Sequence, residues 1–483
     1  MRGIVSTGVY IPRQRLERRA IADAHAWALP GLRAQAKGAR AFCSWDEDAV
    51  TLAVEAGRDC LRATQRAAVR QLRIASTTFP YADLQHGSIV AAALNLRTDL
   101  EALDCGSSQR AATSALIEAL QSNRPGSTLL IGADAPQARA GSDQEMQYGA
   151  AGAAVLIGDG EVQARLLGTR SETAPLIDHF RRRTDPYDYY WEERWIRDEG
   201  YLKLVARNLR ALLDEHGVAA TQIAHFVLAS PLAGVAGAVA RKLGISAEGV
   251  VDGLASDCGY SGAAHPLLML AAALERAGPG DRVLVAGFGQ GSDALLFEAT
   301  ELVAGSSRCR PVARALARRK TETAYLRMLS CSGQLEYAWG MRSEKDAKTA
   351  LTQQYRAADQ MFGFVGGGCR QCGTAQFPRL GKCVNPACQA SNTLDPLPLA
   401  DEPARVLTFT VDLLQYTPSP PFNFGLVQFD NGARVMMEFV DADPETLAVG
   451  LPLRMVFRIK ERDGLRHYDR YFWKAAPAAQ GEG

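Results

Sequence analysis

Two groups of cysteines in this chain have the spacing and surroundings that chemistry asks for. In "CRQCGTAQFPRLGKCVNPAC", Cys369, Cys372, Cys383 and Cys388 follow the pattern C-x2-C-x10-C-x4-C. Two close pairs on two turns can present four thiolates tetrahedrally. That suits a structural Zn²⁺ with every position filled and none left for a reactive water. The other group is a repeated device. "LDCGSSQRAATSALIEALQ", from Leu103, and "SDCGYSGAAHPLLMLAAALE", from Ser256, each set an Asp-Cys-Gly turn before an Ala- and Leu-rich helix. Cys105 and Cys258 are therefore 153 residues apart. A thiol at a helix N-terminus lies beside unpaired N–H groups and a positive dipole end, which lowers its pKa toward thiolate. The residues alone leave open a buried structural cysteine of ordinary pKa.

The elements that must position these thiols follow from the rest of the pattern. At 483 residues the chain exceeds what one core holds, so two or three domains are expected. Residues 1–304 alternate strand-like runs ("RGIVSTGVYIP", "STLLIGADA", "GAAVLIGDG", "AHFVLASP", "DRVLVAGFG") with helical ones, the signature of a layered α/β domain. Within it "LDCGSSQRAATSALIEALQSNRPGSTLLIGAD" is matched by "SDCGYSGAAHPLLMLAAALERAGPGDRVLVAGFG". Each unit is a turn, a buried helix, a Pro-Gly connection and a buried strand, so the device occurs twice because a half-domain is duplicated. Residues 305–365 read as a linker with surface helices, beginning with the basic run "GSSRCRPVARALARRK". The cysteine quartet places a zinc ribbon at 366–400. Five short alternating strands over 401–476 predict a small OB-type β-barrel.

Composition excludes several classes. Net charge is 54 − 53 = +1, which gives no general attraction to nucleic acid or anionic membrane. The barrel's charges are mixed, which argues against a single-strand platform. No signal-peptide run or membrane-length apolar window is present, so a cytoplasmic protein is expected. Ten cysteines there point to metal ligation or catalysis rather than disulfides, with Cys43, Cys60, Cys309 and Cys331 scattered outside the motifs.

On "GVYIP", "DCGSSQRAATSAL", "YGAAGAAVLIGDG", "DRVLVAGFGQGSDALLFE" and "DHFRRRTDPYDYYWEERWIRDEGY", residues 1–304 resemble the thiolase superfamily. The nearest branch is that of hydroxymethylglutaryl-CoA synthase and ketoacyl synthase III. From about 350 onward the chain resembles the zinc-ribbon/OB-fold domains that accompany acyl-CoA thiolases. The resemblance implies a duplicated five-layer αβαβα domain followed by the ribbon and barrel, coenzyme A thioesters as substrate or product, and a homodimer or higher homo-oligomer. It also implies an acyltransferase that forms or cleaves a carbon–carbon bond β to the thioester through an acyl group on Cys105. Such an intermediate splits the transfer into two easier steps. Gly287 and Gly289 of "GFGQG" match the loop whose backbone N–H groups help hold the thioester oxygen.

The family pattern is altered at three places. Ala229 stands where an "HQPN"-like turn has histidine, Cys258 where a "GNTY"-like turn has asparagine, and Thr78 nearest the glutamate of a "TES"-like run. The replacements expected are Cys258 as a paired acid/base thiol facing the Cys105 pocket and His265 as catalytic or core histidine, with His86 and His179 as further candidates. Arg181, Arg182 and Arg183 are candidates for CoA phosphates, and "YDYYWEERW" for an acyl pocket. Two alternatives stand beside this reading: hydroxymethylglutaryl-CoA synthase-like condensation, and a non-catalytic acyl-CoA-binding or assembly protein.

Overall fold

Runs such as "LLIGA" and "VLVAGF" are apolar at every position because they are strands covered on both faces. The computed structural model describes residues 2–61, 66–303, 310–344 and 349–478, so Cys309 lies outside the described residues. The chain divides into two units. The first gathers Met1–Cys43, Asp48–Val90 and Leu96–Met328; the second gathers Ser44–Glu47, Ala91–Asn95 and Leu329–Gly483. The stretch expected as a linker thus splits, its first part packing with the first unit.

In chain order the first unit's strands are β1 (Arg2–Tyr10), β2 (Gln14–Glu17), β3 (Ala39–Ala41), β4 (Val69–Ala75), β5 (Glu101–Cys105), β6 (Ser127–Asp134) and β7 (Ala151–Asp159). There follow β8 (Ala164–Thr173), β9 (His179–Phe180), β10 (Tyr189–Tyr190), β11 (Ile223–Leu228), β12 (Arg282–Phe288) and β13 (Gly291–Ala299). Its main helices are α1 (Arg18–Ala24), α2 (Ala49–Cys60), α3 (His86–Ala93), α4 (Ala111–Gln121), α5 (Asp143–Gln147), α6 (Glu193–Trp195), α7 (Ala206–Glu215), α8 (Val235–Leu243) and α9 (His265–Leu274). Between α6 and α7 the backbone widens into a π-helical stretch, Ile196–Val205.

The duplication is visible in strand order. One half runs β5-β4-β6-β7-β1 and the other β11-β12-β13-β8; the two meet where Gly3 and Ile4 pair with Arg165 and Ala164. By order and direction of pairing, β4 corresponds to β11, β6 to β12 and β7 to β13. The counterpart of edge strand β5 has shrunk to a single bridge, Phe226 to Val250. Helices α4 and α9 both touch strands of both halves and form the central layer. All ten residues of α9 are buried, which explains a helix apolar all round. Helix α2 covers the first half-sheet from outside and the amphipathic α7 covers the second, giving five layers.

The second unit carries a small sheet, Ala375–Gln376 beside Val365–Cys369 beside Leu394–Pro398. A closed five-stranded barrel follows, formed by Ala404–Asp412, Phe422–Phe429, Arg434–Phe439, Pro452–Asp463 and Tyr468–Pro477. Alternate barrel residues such as Val427, Phe429, Met437, Phe457 and Trp473 fill the interior. Two buried cations are held within this unit. Lys474 pairs with Asp46 at 2.9 Å and Glu438 at 3.0 Å, and Arg458 with Glu47 at 3.1 Å and Asp441 at 3.0 Å. Buried charge needs such partners to offset lost hydration. Among the described residues no helix is long and apolar enough to cross a membrane.

Candidate active site and metal centre

The approach to α4 is longer than the sequence pattern suggests. Cys105 is the last residue of β5, paired in register with Ala75, and α4 begins only at Ala111. The residue before the helix cap is Gln109, so Gln109 rather than Cys105 stands at the helix tip. The thiol of Cys105 is half-buried, with Arg73, Glu118 and Asp104 as its charged neighbours. Burial raises its pKa and Arg73 only partly opposes this, so the expected shift toward thiolate is corrected to a shift upward.

Cys258 is sealed. It has no exposed surface, its sulfur lies 3.5 Å from the Leu254 and Gly259 carbonyls, and burial pushes its pKa up to about 12. Its charged neighbours are Arg15, Asp257, Arg18 and Asp252, none of them shared with Cys105. The expectation that the two thiols face one pocket is therefore corrected. An acid/base thiol needs a reachable proton near working pH, and Cys258 has neither access nor a suitable pKa.

The two turns do meet, through other side chains. The Tyr260 hydroxyl donates to Gln109 Oε1 at 2.7 Å, both groups being buried. The Tyr190 hydroxyl lies near Gln109 and Tyr148, and Tyr148 donates to Asp188 Oδ2 at 2.8 Å. Burial raises the pKa of Tyr148, Tyr190, Tyr201 and Tyr260, keeping all four phenols protonated. Tyr201 enters from the π-helical stretch and packs on Phe288 with ring centres 4.4 Å apart.

His179 stands beside this cluster. Its Nδ1 is 2.8 Å from Asp178 Oδ2, and its ring stacks on Tyr190 with centres 5.3 Å apart. Burial lowers its pKa, but the hydrogen bond and charge of Asp178 outweigh burial and leave it raised. Asp178 also accepts from the Gln290 amide, and Gln290 Oε1 lies 3.3 Å from the Ser108 hydroxyl.

The other candidates have structural work. His265 is buried, with Nδ1 accepting from the Ser261 N–H at 3.2 Å and Nε2 against the Gly253 carbonyl at 2.9 Å. Burial lowers its pKa to about 4, so it is a neutral core histidine locked by both nitrogens, and its expected catalytic role is corrected accordingly. His86 is likewise engaged at both nitrogens, by Asp104 at 2.9 Å and the Tyr81 N–H at 3.3 Å. Thr78 donates to buried Asp134 at 2.9 Å, and Ala229 is buried just beyond β11. Gly287 lies within β12, paired with Asp293. Gly289 donates its N–H to the Gly291 carbonyl at 3.2 Å, so that donor is already engaged. At φ +154° a Cβ on Gly289 would stand 2.8 Å from Ser108 Oγ, which is how the glycine loop comes close to the tip of α4. Arg181 is bound to Asp188 at 3.1 Å and to the Thr77 carbonyl, while Arg182 and Arg183 are exposed.

The sequence reading missed Gln109 and Tyr260. No local signal marked either residue, because the strand end at Cys105 is set by pairing with β4.

In the second unit the four cysteine sulfurs lie within 4.8 Å of one another. Cys369 is 4.0 Å from Cys388, and Cys372 is 3.6 Å from Cys383. A tetrahedral centre with metal–sulfur bonds of about 2.3 Å has sulfur–sulfur edges of about 3.8 Å. The donor set therefore fits one metal ion.

Comparison with known proteins agrees with this architecture. Residues 213–297 match the model for the 3-oxoacyl-[acyl-carrier-protein] synthase III C-terminal domain, and residues 398–458 the ChsH2 C-terminal OB-fold domain. Solved structures of similar fold include an HMG-CoA synthase complexed with CoA (TM-score 0.61, 16% identity, covering 72% of this chain and 95% of that one). Another is 3-oxoacyl-[acyl-carrier-protein] synthase III from Aquifex aeolicus (TM-score 0.53, 20% identity, 62% and 100%). Fold and site together define a thiolase-like condensing-enzyme unit joined to an OB barrel. The hydroxymethylglutaryl-CoA synthase of Pyrococcus horikoshii is 32% identical over 305 residues, covering 61% of this chain and 85% of that protein. That of Methanothermobacter thermautotrophicus is 30% identical over 352 residues, covering 70% and 100%. The chain belongs to the hydroxymethylglutaryl-CoA synthase family.

Proposed function

We propose that the first unit is an acyltransferase that forms or cleaves a carbon–carbon bond β to a CoA thioester, the condensation its synthase relatives are named for. The observation that carries this reading is the kinship with those synthases over most of their length, joined to a buried polar cluster where the two half-domain turns meet. Arg182, Arg183 and the exposed Trp191 offer charge and an aromatic face for the nucleotide end of CoA. In the second unit the cysteine quartet holds Zn²⁺ as a structural ion, because four thiolates fill its coordination. A homodimer belongs to the same reading, supported by β5, which ends its sheet with Leu103 exposed. A cytoplasmic setting belongs to the same reading, supported by four cysteines grouped for metal ligation.

The reading has two branches, which differ in whether a thiol carries the acyl group. Cys105 is the branch the sequence points to, and its partial exposure supports it where Cys60 and Cys258 are sealed. The test incubates the full chain with acetyl-CoA, alone and with acetoacetyl-CoA, and with longer acyl-CoAs. Products and intact protein mass are followed together. A new carbon–carbon product supports the reading, and an acyl adduct on Cys105 assigns it the carrier role. Absence of both CoA binding and turnover across the panel overturns it. Metal analysis is expected to give one zinc per chain; none in protein purified without chelator would reject the zinc assignment.

A further inference from the structure

Resting on the CoA-thioester reading, we propose that Gln109 holds the thioester oxygen and that His179, oriented by Asp178, takes the proton from the adjacent carbon, so that the first unit makes a CoA enolate.

The amide of Gln109 is set for one task. Its Oε1 is taken by the Tyr260 hydroxyl at 2.7 Å, which fixes which end of the amide points away from Tyr260. Nitrogen Nε2 is the donor left over, with two N–H groups and Tyr190 nearby. That donor is buried beside the positive end of an eleven-residue helix, where charge developing on a thioester oxygen is stabilised most. The exposed residues Gly106 and Ser107, just before it, give the approach.

His179 and Asp178 have the arrangement of a base and its orienting carboxylate. With Nδ1 bonded to Asp178 at 2.8 Å, the ring's proton lies on that side and Nε2 presents its lone pair. Asp178 is itself fixed by Gln290, which reaches Ser108, the neighbour of Gln109. The His179 ring lies on Tyr190, which is a neighbour of Gln109. Base and oxygen-holding donor thus border the same tyrosine. In the step, the α C–H bond breaks and its proton passes to His179 Nε2. The electron pair forms the C=C bond while the carbonyl pair moves onto oxygen, held by Gln109. Return of a proton from the imidazolium regenerates the thioester, or the enolate attacks a second carbonyl. Tyr260 is a positioning residue that acts through Gln109.

The experiment measures deuterium incorporation at the α-carbon of acetyl-CoA by the full chain in D2O, beside CoA binding by calorimetry. Wild type is expected to exchange well above the uncatalysed rate. His179→Gln is expected to lose about a hundredfold or more, and Gln109→Ala about a hundredfold, with CoA affinity retained. Tyr260→Phe is expected to lose less than Gln109→Ala. Asp178→Asn supplies a readout that a structural role would not move. The groups facing His179 are Asp178, Asp188, Arg181 and Tyr190. Removing the Asp178 charge lowers the imidazole pKa, so the acidic limb of the exchange profile moves to lower pH. Undiminished exchange in His179→Gln, or an unshifted limb in Asp178→Asn, overturns the inference. Wild type that binds CoA without exchanging overturns it too and leaves the CoA reading standing. Failure to bind CoA at all removes that reading itself.

Discussion

Asp104-Cys105-Gly106 closes an edge strand, whereas Asp257-Cys258-Gly259 forms a turn folded under the opposite half. Helix α4 starts six residues after its cysteine and α9 seven, so the duplicated unit keeps its length to within one residue. The surroundings have diverged. The first cysteine belongs to a strand that pairs on one side only. The second has lost that strand and is sealed. Each half also lends the other a glycine. Gly149, two residues before β7, packs on Cys258, and Gly289, two before β13, packs on Ser108 and Arg110. Shared sequence at a turn therefore says less about reactivity than which strand survives beside it.

The glycines give the strongest test of that symmetry. A Cβ on Gly149 would stand 1.8 Å from the Cys258 carbonyl oxygen, so backbone must move. Gly149→Ala is expected to cost about 3 kcal/mol or more in urea unfolding. Gly289→Ala meets the rotatable Ser108 hydroxyl at 2.8 Å and the Arg110 nitrogen at 3.3 Å and keeps an unfavourable φ, and should cost about 1–2 kcal/mol. Equal costs would mean that the two contacts are closer equivalents than the distances indicate.

The next effect is pH-dependent and belongs to the second turn. His265 titrates near 4 when folded, below its unfolded value near 6.5. Between those values the unfolded chain binds the extra proton, so stability falls as pH falls through that window, by up to about 3 kcal/mol. The difference in urea midpoint between wild type and His265→Asn, followed from pH 7 to 4, isolates it. A difference independent of pH would show that His265 is not buried neutral.

Much of the architecture was legible. The repeat announced two half-sheets, the alternation from 401 onward gave all five barrel strands, and the spacing of the cysteine quartet placed four sulfurs within reach of one ion. These signals are local, or repeat at fixed offsets. What stayed hidden was long-range. The partner of Gln109 is 151 residues away, and the partner of Asp178 that reaches Ser108 is 112 residues away. Whether "LDCGSSQ" is strand end or helix start depends on pairing with β4, which no local pattern encodes. His265 and Cys258 were candidates because of their residue types, and burial decided against both. His179 was visible as a candidate, while the carboxylate that orients it, just before β9, drew no attention because nothing in the sequence says which way a loop side chain turns.

Removing the Tyr260 hydroxyl strips the buried Gln109 oxygen of its donor, and Tyr260→Phe is expected to cost about 1–2 kcal/mol. A neutral result would mean that water replaces the hydroxyl, and hence that the meeting point of the two turns is wet.

The smallest effect on stability belongs to the cysteine that drew attention first. Cys105 is half-exposed at a strand end, so Cys105→Ala removes little buried surface and should cost below about 1 kcal/mol. Its chemistry in the folded state should still differ sharply from that of Cys258. Alkylation by iodoacetamide requires access and thiolate; Cys105 has the first, with a pKa raised by partial burial and opposed by Arg73, while Cys258 has neither. Peptide mapping after timed alkylation is expected to show Cys105 modified under native conditions and Cys258 only in urea. Should Cys258 label at a comparable native rate, the second turn opens on the timescale of the reaction. The sealed half of the comparison would then have to be redrawn as a gate.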